Sequence, residues 1–211
     1  PREAAPVLPP RGPWYETPDT WKDNPPECAG WADPYVFRKR GEKSVYAIFN
    51  ARVTGGPMFG RGSIALARSD DMLHWTLMPP LHAPGYCTRC ETPQIFTRNG
   101  RWYVLASMWP KLLTAEFKEA HPEAEESAAA MVWTAPRFEG PYALAGDWAL
   151  FRGQGCYIAK VIEGPDGGDV VLTIRMEHLD GKQAFGLSPA YPVSYPEAGG
   201  IRVHLDRPLM H

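Results

Sequence analysis

The chain carries almost no net charge, few cysteines, no long apolar run and no spaced histidine pair. With 22 Lys and Arg against 24 Asp and Glu, and a formal charge of -2, it lacks the cationic surplus that would draw it to nucleic acid or to an anionic membrane. No apolar stretch approaches the roughly 20 residues of a membrane span, and the amino terminus lacks the basic-then-apolar pattern of a secretory signal. Neither nucleic acid nor membrane is an expected partner. The cysteines are Cys28, Cys87, Cys90 and Cys156, too sparse to hold a chain of 211 residues together by disulfides. They leave the compartment open, with the cytoplasm favoured. The histidines form no His-x-x-x-His pair, so none reads as a metal ligand.

Proline, glycine and aromatic residues are plentiful. There are 23 prolines, 20 glycines, eight tryptophans and nine tyrosines, a composition that suits short strands joined by tight turns better than long helices. The fold class expected is all-β. Residues 1–30 are proline-rich without a sustained period and read as an extended arm. From Asp33 strands follow one another: Tyr35–Phe37, Ser44–Asn50, Ser63–Arg68 and His74–Leu77, a four-stranded meander.

The pattern then repeats. Thr92-Pro93-Gln94-Ile95-Phe96 matches Asp33-Pro34-Tyr35-Val36-Phe37 at an offset of about 59 residues, and RWYVLAS (Arg101–Ser107) matches SVYAIFN (Ser44–Asn50). A third copy starts near Cys156 with CYIAKVI and continues through DVVLTI (Asp169–Ile174) to Phe185–Ser188. Repeats of four strands are the mark of β-propeller blades. Three are legible, at about 31–80, 90–150 and 154–205 within a propeller region of 31–211. The insertion Lys111–Ala130, rich in Ala, Glu, Leu and Lys, is predicted to form one helix or a helical loop.

In a propeller the first strand of each blade lines the central channel, so residues at its start gather at one mouth. The first two blades open as Trp31-Ala32-Asp33-Pro34 and Cys90-Glu91-Thr92-Pro93. Each sets one carboxylate near a proline that stiffens the chain. Two converging carboxylates suit glycoside hydrolysis, which needs a protonated acid for the leaving oxygen and an ionised group for the oxocarbenium-like centre. Asp33 and Glu91 are therefore the catalytic candidates, with turn capping as the bland alternative for both. Trp31, Tyr86, Trp109 and Tyr157 could stack on a sugar ring or belong to blade core. Arg175, beside Glu177 and His178, is a candidate substrate contact or a surface ion pair.

Three motifs carry a resemblance. WADPYVF (Trp31–Phe37) resembles the Arg-Asp-Pro blade opening, and CETPQIF (Cys90–Phe96) the Glu-Cys-Pro opening, of the five-bladed fructofuranosidase-type glycoside hydrolases, the invertases and levansucrases. ARSDDMLHW (Ala67–Trp75) resembles their Ser-x-Asp-x-x-x-Trp closure, and TAPRFEGPY (Thr134–Tyr142) a Gly-Pro-Tyr closure. The resemblance implies a retaining β-fructofuranosidase-like activity without a cofactor. In it Asp33 stabilises the transition state and Glu91 is the general acid/base. Ala32 stands where the family has arginine, and Thr92 where it has cysteine.

The family's nucleophilic aspartate lies in an earlier blade that this chain does not display. The nearest text is Trp21-Lys22-Asp23-Asn24-Pro25, where an exposed turn is the plainer reading of Asp23. Two function classes follow: a glycoside hydrolase-like protein, truncated or inactive unless a nucleophile is supplied, or a non-catalytic carbohydrate-binding or assembly module. The expected partners are a carbohydrate and a second copy of the chain completing the propeller. Cys87-Thr88-Arg89-Cys90 is compatible with free thiols, a local disulfide or, with Cys28 and Cys156, a four-thiolate site.

Overall fold

A computed structural model of the chain describes residues 8–22, 24–125, 129–150, 156–179, 182–196 and 199–209. Asp23 lies outside them. The regular structure of the described residues is mostly strand, and none of their helices is long and apolar enough to cross a membrane. The chain divides into two compact units, Pro1–Pro93 with Leu112–Thr114, and Gln94–Lys111 with Ala115–His211.

In the first unit, β1 (Trp31–Phe37), β2 (Val45–Arg52), β3 (Gly62–Ser69) and β4 (Thr76–His82) form one antiparallel sheet in chain order. β2 is buried along its whole length, whereas β1 alternates between half-buried and exposed residues. The core between them is built on small residues, Ala47, Ala51, Ala65 and Ala67, which leave room for the rings of Tyr15 and Phe49. The segment expected as an extended arm carries a helical turn, α1 (Pro18–Trp21), and is tied to the sheet. Tyr15 is fully buried and its hydroxyl donates to the Met78 carbonyl at 2.8 Å.

The buried Glu16 carboxylate accepts from Arg52 Nε at 2.7 Å and from Arg61 Nη1 at 2.9 Å. Arg52, itself fully buried, spends its other nitrogens on the carbonyls of Thr88 and Met58. All three of its nitrogens are thus partnered, as burying a guanidinium requires.

The Ser-x-Asp-x-x-x-Trp motif has a local purpose. Ser69 Oγ accepts from Met72 N at 2.8 Å, and Asp71 Oδ1 accepts from Leu73 N and His74 N at 2.8 and 2.7 Å. Trp75 Nε1 closes back onto the Met72 carbonyl. The motif folds the β3–β4 turn through side chains that stand in for backbone acceptors. The His74 ring and these backbone amides hold the Asp71 carboxyl well below the usual carboxylate range.

β5 (Glu91–Arg98), β6 (Arg101–Met108), β7 (Ala129–Ala135) and β8 (Ala143–Leu144) form the second sheet, again in chain order. The first residues of β5 belong to the first unit and the rest of the sheet to the second. Asn99 and Gly100 alone separate β5 from β6, with φ of 50° and 71°. Two left-handed residues are what a tight two-residue hairpin needs. The predicted helical insertion contributes one short helix, α2 (Ala115–Ala120), flanked by 3-10 turns.

The third sheet pairs β9 (Cys156–Glu163) with β10 (Asp169–Leu179). Along the far edge of β10 lie β11 (Lys182–Leu187) and then β12 (Tyr191–Ser194), followed by β13 (Arg202–Val203) on β12. β11 and β12 together act as one interrupted third strand, so this sheet too has four strand positions in meander order. Its core joins Val161, Val171 and Tyr191 to Tyr103, Leu105 and Val132 of the second sheet, within one unit. The Gln94 amide stitches these sheets by exchanging hydrogen bonds with both backbone groups of Val161, at 2.7 and 2.8 Å.

Candidate functional site

The first strand of each sheet carries the same irregularity. Asp33, Thr92 and Ile158 have φ of 59°, 48° and 57°, and they occupy equivalent places in the three repeats. The register of β1 against β2 shifts between Ala32 and Tyr35, and that of β10 against β9 shifts between Leu172 and Ile174, opposite Lys160 and Tyr157. An extra residue in left-handed conformation is a β-bulge, which re-aims the side chains around it. Thr and Ile are β-branched and poorly suited to that conformation, so the strain is imposed by the surrounding sheet.

Asp33 and Glu91 both lie in the first unit, on strand openings that a side chain joins. The Asp33 carboxylate accepts the Thr92 backbone N–H at 3.0 Å. On the other side of Glu91, the Cys90 N–H donates to Oδ1 of the buried Asn50 at 3.1 Å. The backbone N–H groups of Cys90 and Thr92, the residues on either side of Glu91, are thus held by side chains from β2 and β1. The Glu91 carboxylate is largely buried, with 14% of its side chain exposed, and pairs with Arg89 Nη1 at 3.3 Å. Arg89 also donates through Nη2 to the Pro26 carbonyl. The site therefore combines two carboxylates with the Arg89 guanidinium, and Ala32 supplies no charge of its own.

Trp31 begins the strand that carries Asp33. Its indole lies edge-on to Phe49 with centroids 4.7 Å apart, and its Nε1 donates to the Leu8 carbonyl. It also borders an apolar groove with Ala32, Pro34, Val36 and Trp75. Tyr86 is half-buried in the loop before Cys87, and its carbonyl accepts from Thr114 N. The remaining candidates belong to the second unit. Trp109 packs against Tyr157 with ring centroids 4.7 Å apart. Arg175 is half-buried in β10, opposite Cys156 on one side and Gly186 on the other.

Arg89 and Asn50 were not apparent as site residues from composition or motif. Arg89 had one usable signal: it lies two residues before Glu91, and alternate residues of an extended run share a face. Asn50 closes a run that reads simply as a buried strand. For the cysteines, Cys87 and Cys90 Sγ lie 3.6 Å apart and Cys28 is buried as a free thiol. Among the described residues no group of three or more His, Cys, Asp or Glu side chains is placed to hold a metal ion. The side chain of Cys156 lies outside the described set.

No family model and no curated protein matches the chain. Solved structures do. A levansucrase variant from B. megaterium superposes with a TM-score of 0.76 at 14% identity, over 95% of this chain and 55% of that one. B. subtilis levansucrase gives 0.70 at 13%, over 96% and 56%. An inulosucrase from Halalkalicoccus jeotgali, bound to kestose, gives 0.70 at 19%, over 93% and 54%. The chain has the β-propeller fold of these proteins. It spans little more than half their length, a partial propeller of three sheets.

Proposed function

We propose that the chain handles carbohydrate at the Asp33–Glu91 site, with β-fructofuranosides as the first substrate class to examine. The observation that carries this reading is the pair of carboxylates at the openings of two successive repeats, each with a left-handed residue, joined through the Thr92 amide. Backbone strain repeated at one strand position is an investment that a purely structural sheet does not need. The likeness in fold adds support: neighbours have been crystallised with sucrose, oligosaccharides and kestose.

In this reading Asp33 holds sugar hydroxyls near the developing positive charge, and Glu91 exchanges the proton with the glycosidic oxygen. Trp31 and Tyr86 are proposed as sugar contacts in the first unit; Trp109 and Arg175 are proposed as sugar contacts within the second unit. Retaining hydrolysis would need a third carboxylate as nucleophile, from outside these repeats.

One observation favours the second reading, a binding module without turnover. Glu91 is engaged by Arg89, and an acid role requires that contact to be given up or shared. Titrating the chain calorimetrically with fructosides and arabinosides, and assaying hydrolysis of the same panel, separates the two. Binding with turnover that disappears in Glu91→Gln supports the enzyme. Binding without turnover supports the module, and no binding by any sugar of the panel overturns the carbohydrate reading.

We further propose that a second copy of the chain covers the open faces of the partial propeller. The first unit leaves Ala32, Pro34 and Val36 exposed along one side of β1, and the second leaves Leu187 exposed. Exposed apolar sheet faces of this kind are normally covered. Light scattering should then give twice the 23.5 kDa of one chain, and Val36→Asp should return it to a single chain. A monodisperse single chain at micromolar concentration overturns this assembly.

A further inference from the structure

Cys87 and Cys90 face one another in a tight, anchored turn that the carbohydrate reading does not use. Their sulfurs are 3.6 Å apart and both residues are fully buried. Three backbone contacts fix the turn. Gly62 N donates to the Cys87 carbonyl at 2.7 Å, Thr88 N donates to the Leu112 carbonyl at 2.7 Å, and Cys90 N donates to Asn50 Oδ1 at 3.1 Å. Gly62 is packed so closely that a Cβ there would lie 2.6 Å from both Cys87 O and Arg89 N. The backbone therefore holds the two side chains in register before any bond exists between them.

We propose that Cys87 and Cys90 are a disulfide-forming site, closing a four-residue ring immediately before Glu91. In the reaction a thiolate of one cysteine attacks a small-molecule disulfide and expels one thiolate. The second cysteine then attacks the mixed disulfide and expels the other. One sulfur–sulfur bond forms and one breaks, the protein loses two thiol protons, and the carrier leaves as two thiols.

Several features select this outcome over metal binding or inert thiols. Among the described residues no third ligand joins the pair. Burial, then the contact with Cys87, pushes the Cys90 thiol well up from its ordinary value, which disfavours a thiolate metal ligand in the closed turn and assigns the attack on the carrier to the opened turn. A disulfide removes both ionisable groups and leaves an apolar bridge suited to burial. The turn is shallow, with Gly85 exposed and Tyr86 and Arg89 half-buried, so local opening is enough to admit a small disulfide. Because the turn's backbone is already anchored, closure needs movement of the two side chains and not of the chain leading to Glu91.

The whole chain is unfolded in reductant and refolded in a glutathione redox buffer. It is then denatured, alkylated and digested, and a second sample, never exposed to reductant, is denatured, alkylated and digested directly. The expected result is that the peptide spanning Cys87 to Cys90 loses both thiol hydrogens and resists alkylation in both samples, while Cys28 is alkylated. In Cys90→Ser, Cys87 should be trapped as a mixed disulfide with glutathione. Complete alkylation of Cys87 and Cys90 after refolding, or a bond from either of them to Cys28 or Cys156, overturns the proposal. These readouts involve no sugar, so they stand or fall independently of the carbohydrate site.

Discussion

Asp33 and Thr92 stand 59 residues apart in equivalent places of two repeats, and the carboxylate of the first accepts the backbone N–H of the second at 3.0 Å. Both backbones are left-handed there. Aspartate tolerates that conformation because its short polar side chain can hydrogen-bond locally, whereas alanine does not gain that compensation. The side chain is thus both a local support and the charge proposed to face a sugar.

These two roles can be separated by substitution. Asp33→Asn keeps an acceptor oxygen and a residue at home in left-handed backbone, so thermal stability should change by less than about 1 kcal/mol, while fructoside affinity falls. Asp33→Ala loses both and should cost about 1–3 kcal/mol. Calorimetric titration of the Asn variant decides the matter. Wild-type affinity would remove the Asp33 charge from the site.

Arg52 is the hub that ties the amino-terminal segment to the loop leading into Glu91, through Glu16 on one side and the Thr88 carbonyl on the other. Replacing it with methionine leaves Glu16, 1% exposed, with only Arg61 for its charge. Breaking a buried pair in this way typically costs roughly 3–5 kcal/mol. Arg52→Met should show that loss in urea unfolding. It should also make residues before Tyr15 more readily cleaved by protease in native conditions. Replacing Glu16 and Arg52 together with apolar residues should recover part of the stability, since no charge is then stranded.

Gly62 is required for space and not for backbone freedom. A methyl group there would strike backbone atoms of Cys87, Thr88 and Arg89 at 2.6 to 2.7 Å, and backbone cannot swing aside as a side chain can. Gly62→Ala should destabilise the chain by about 1–3 kcal/mol and shift the amide resonances of residues 87–91. If its spectrum overlays the wild type through that turn, the close approach is not a constraint in solution.

Much of the fold was legible because turn chemistry and repetition are local properties of a chain. The three meanders, their order and the offset between Asp33 and Thr92 could be read from text alone. The closure motif ending at Trp75 could also be located, although its reason, a set of side-chain acceptors for the turn amides, needed coordinates. The third sheet was harder, since its third position is split between β11 and β12 by Ser188-Pro189-Ala190. The insertion, read as one helix or a helical loop, does carry a helix and 3-10 turns. Its Ala and Glu content favours helix, and among its described residues the α-helix is Ala115–Ala120, with prolines at 110 and 122 bounding it. In the site, the carboxylates were visible because proline follows them. Asn50 was not, because its partner Cys90 is 40 residues away and no spacing rule encodes it, whereas Arg89 offered only its two-residue offset from Glu91 as a signal.

His82 gives the protein a pH dependence with a definite sign. Burial pushes its pKa down from 6.5 to about 4, so the unfolded chain takes up the proton first. Its contribution is complete above pH 6.5 and is lost as pH falls toward 4, on the order of 3 kcal/mol at most. His74 works in the opposite direction. Its contact with Asp71 raises its pKa, so that contribution is complete below the unfolded value and lost as pH rises through the folded one. Its ring is solvent-exposed, with 88% of the side chain accessible, so screening keeps the effect small. Asp169 titrates below the usual carboxylate range. Burial opposes this, but the hydrogen bonds from Arg98 and Tyr195 outweigh it, so its loss belongs to more acidic solutions. Urea unfolding at pH 7 and pH 4.5 should therefore show the wild type weakening on acidification, and His82→Gln weakening much less. Equal acid losses in the two proteins would show that His82 is not the group responsible.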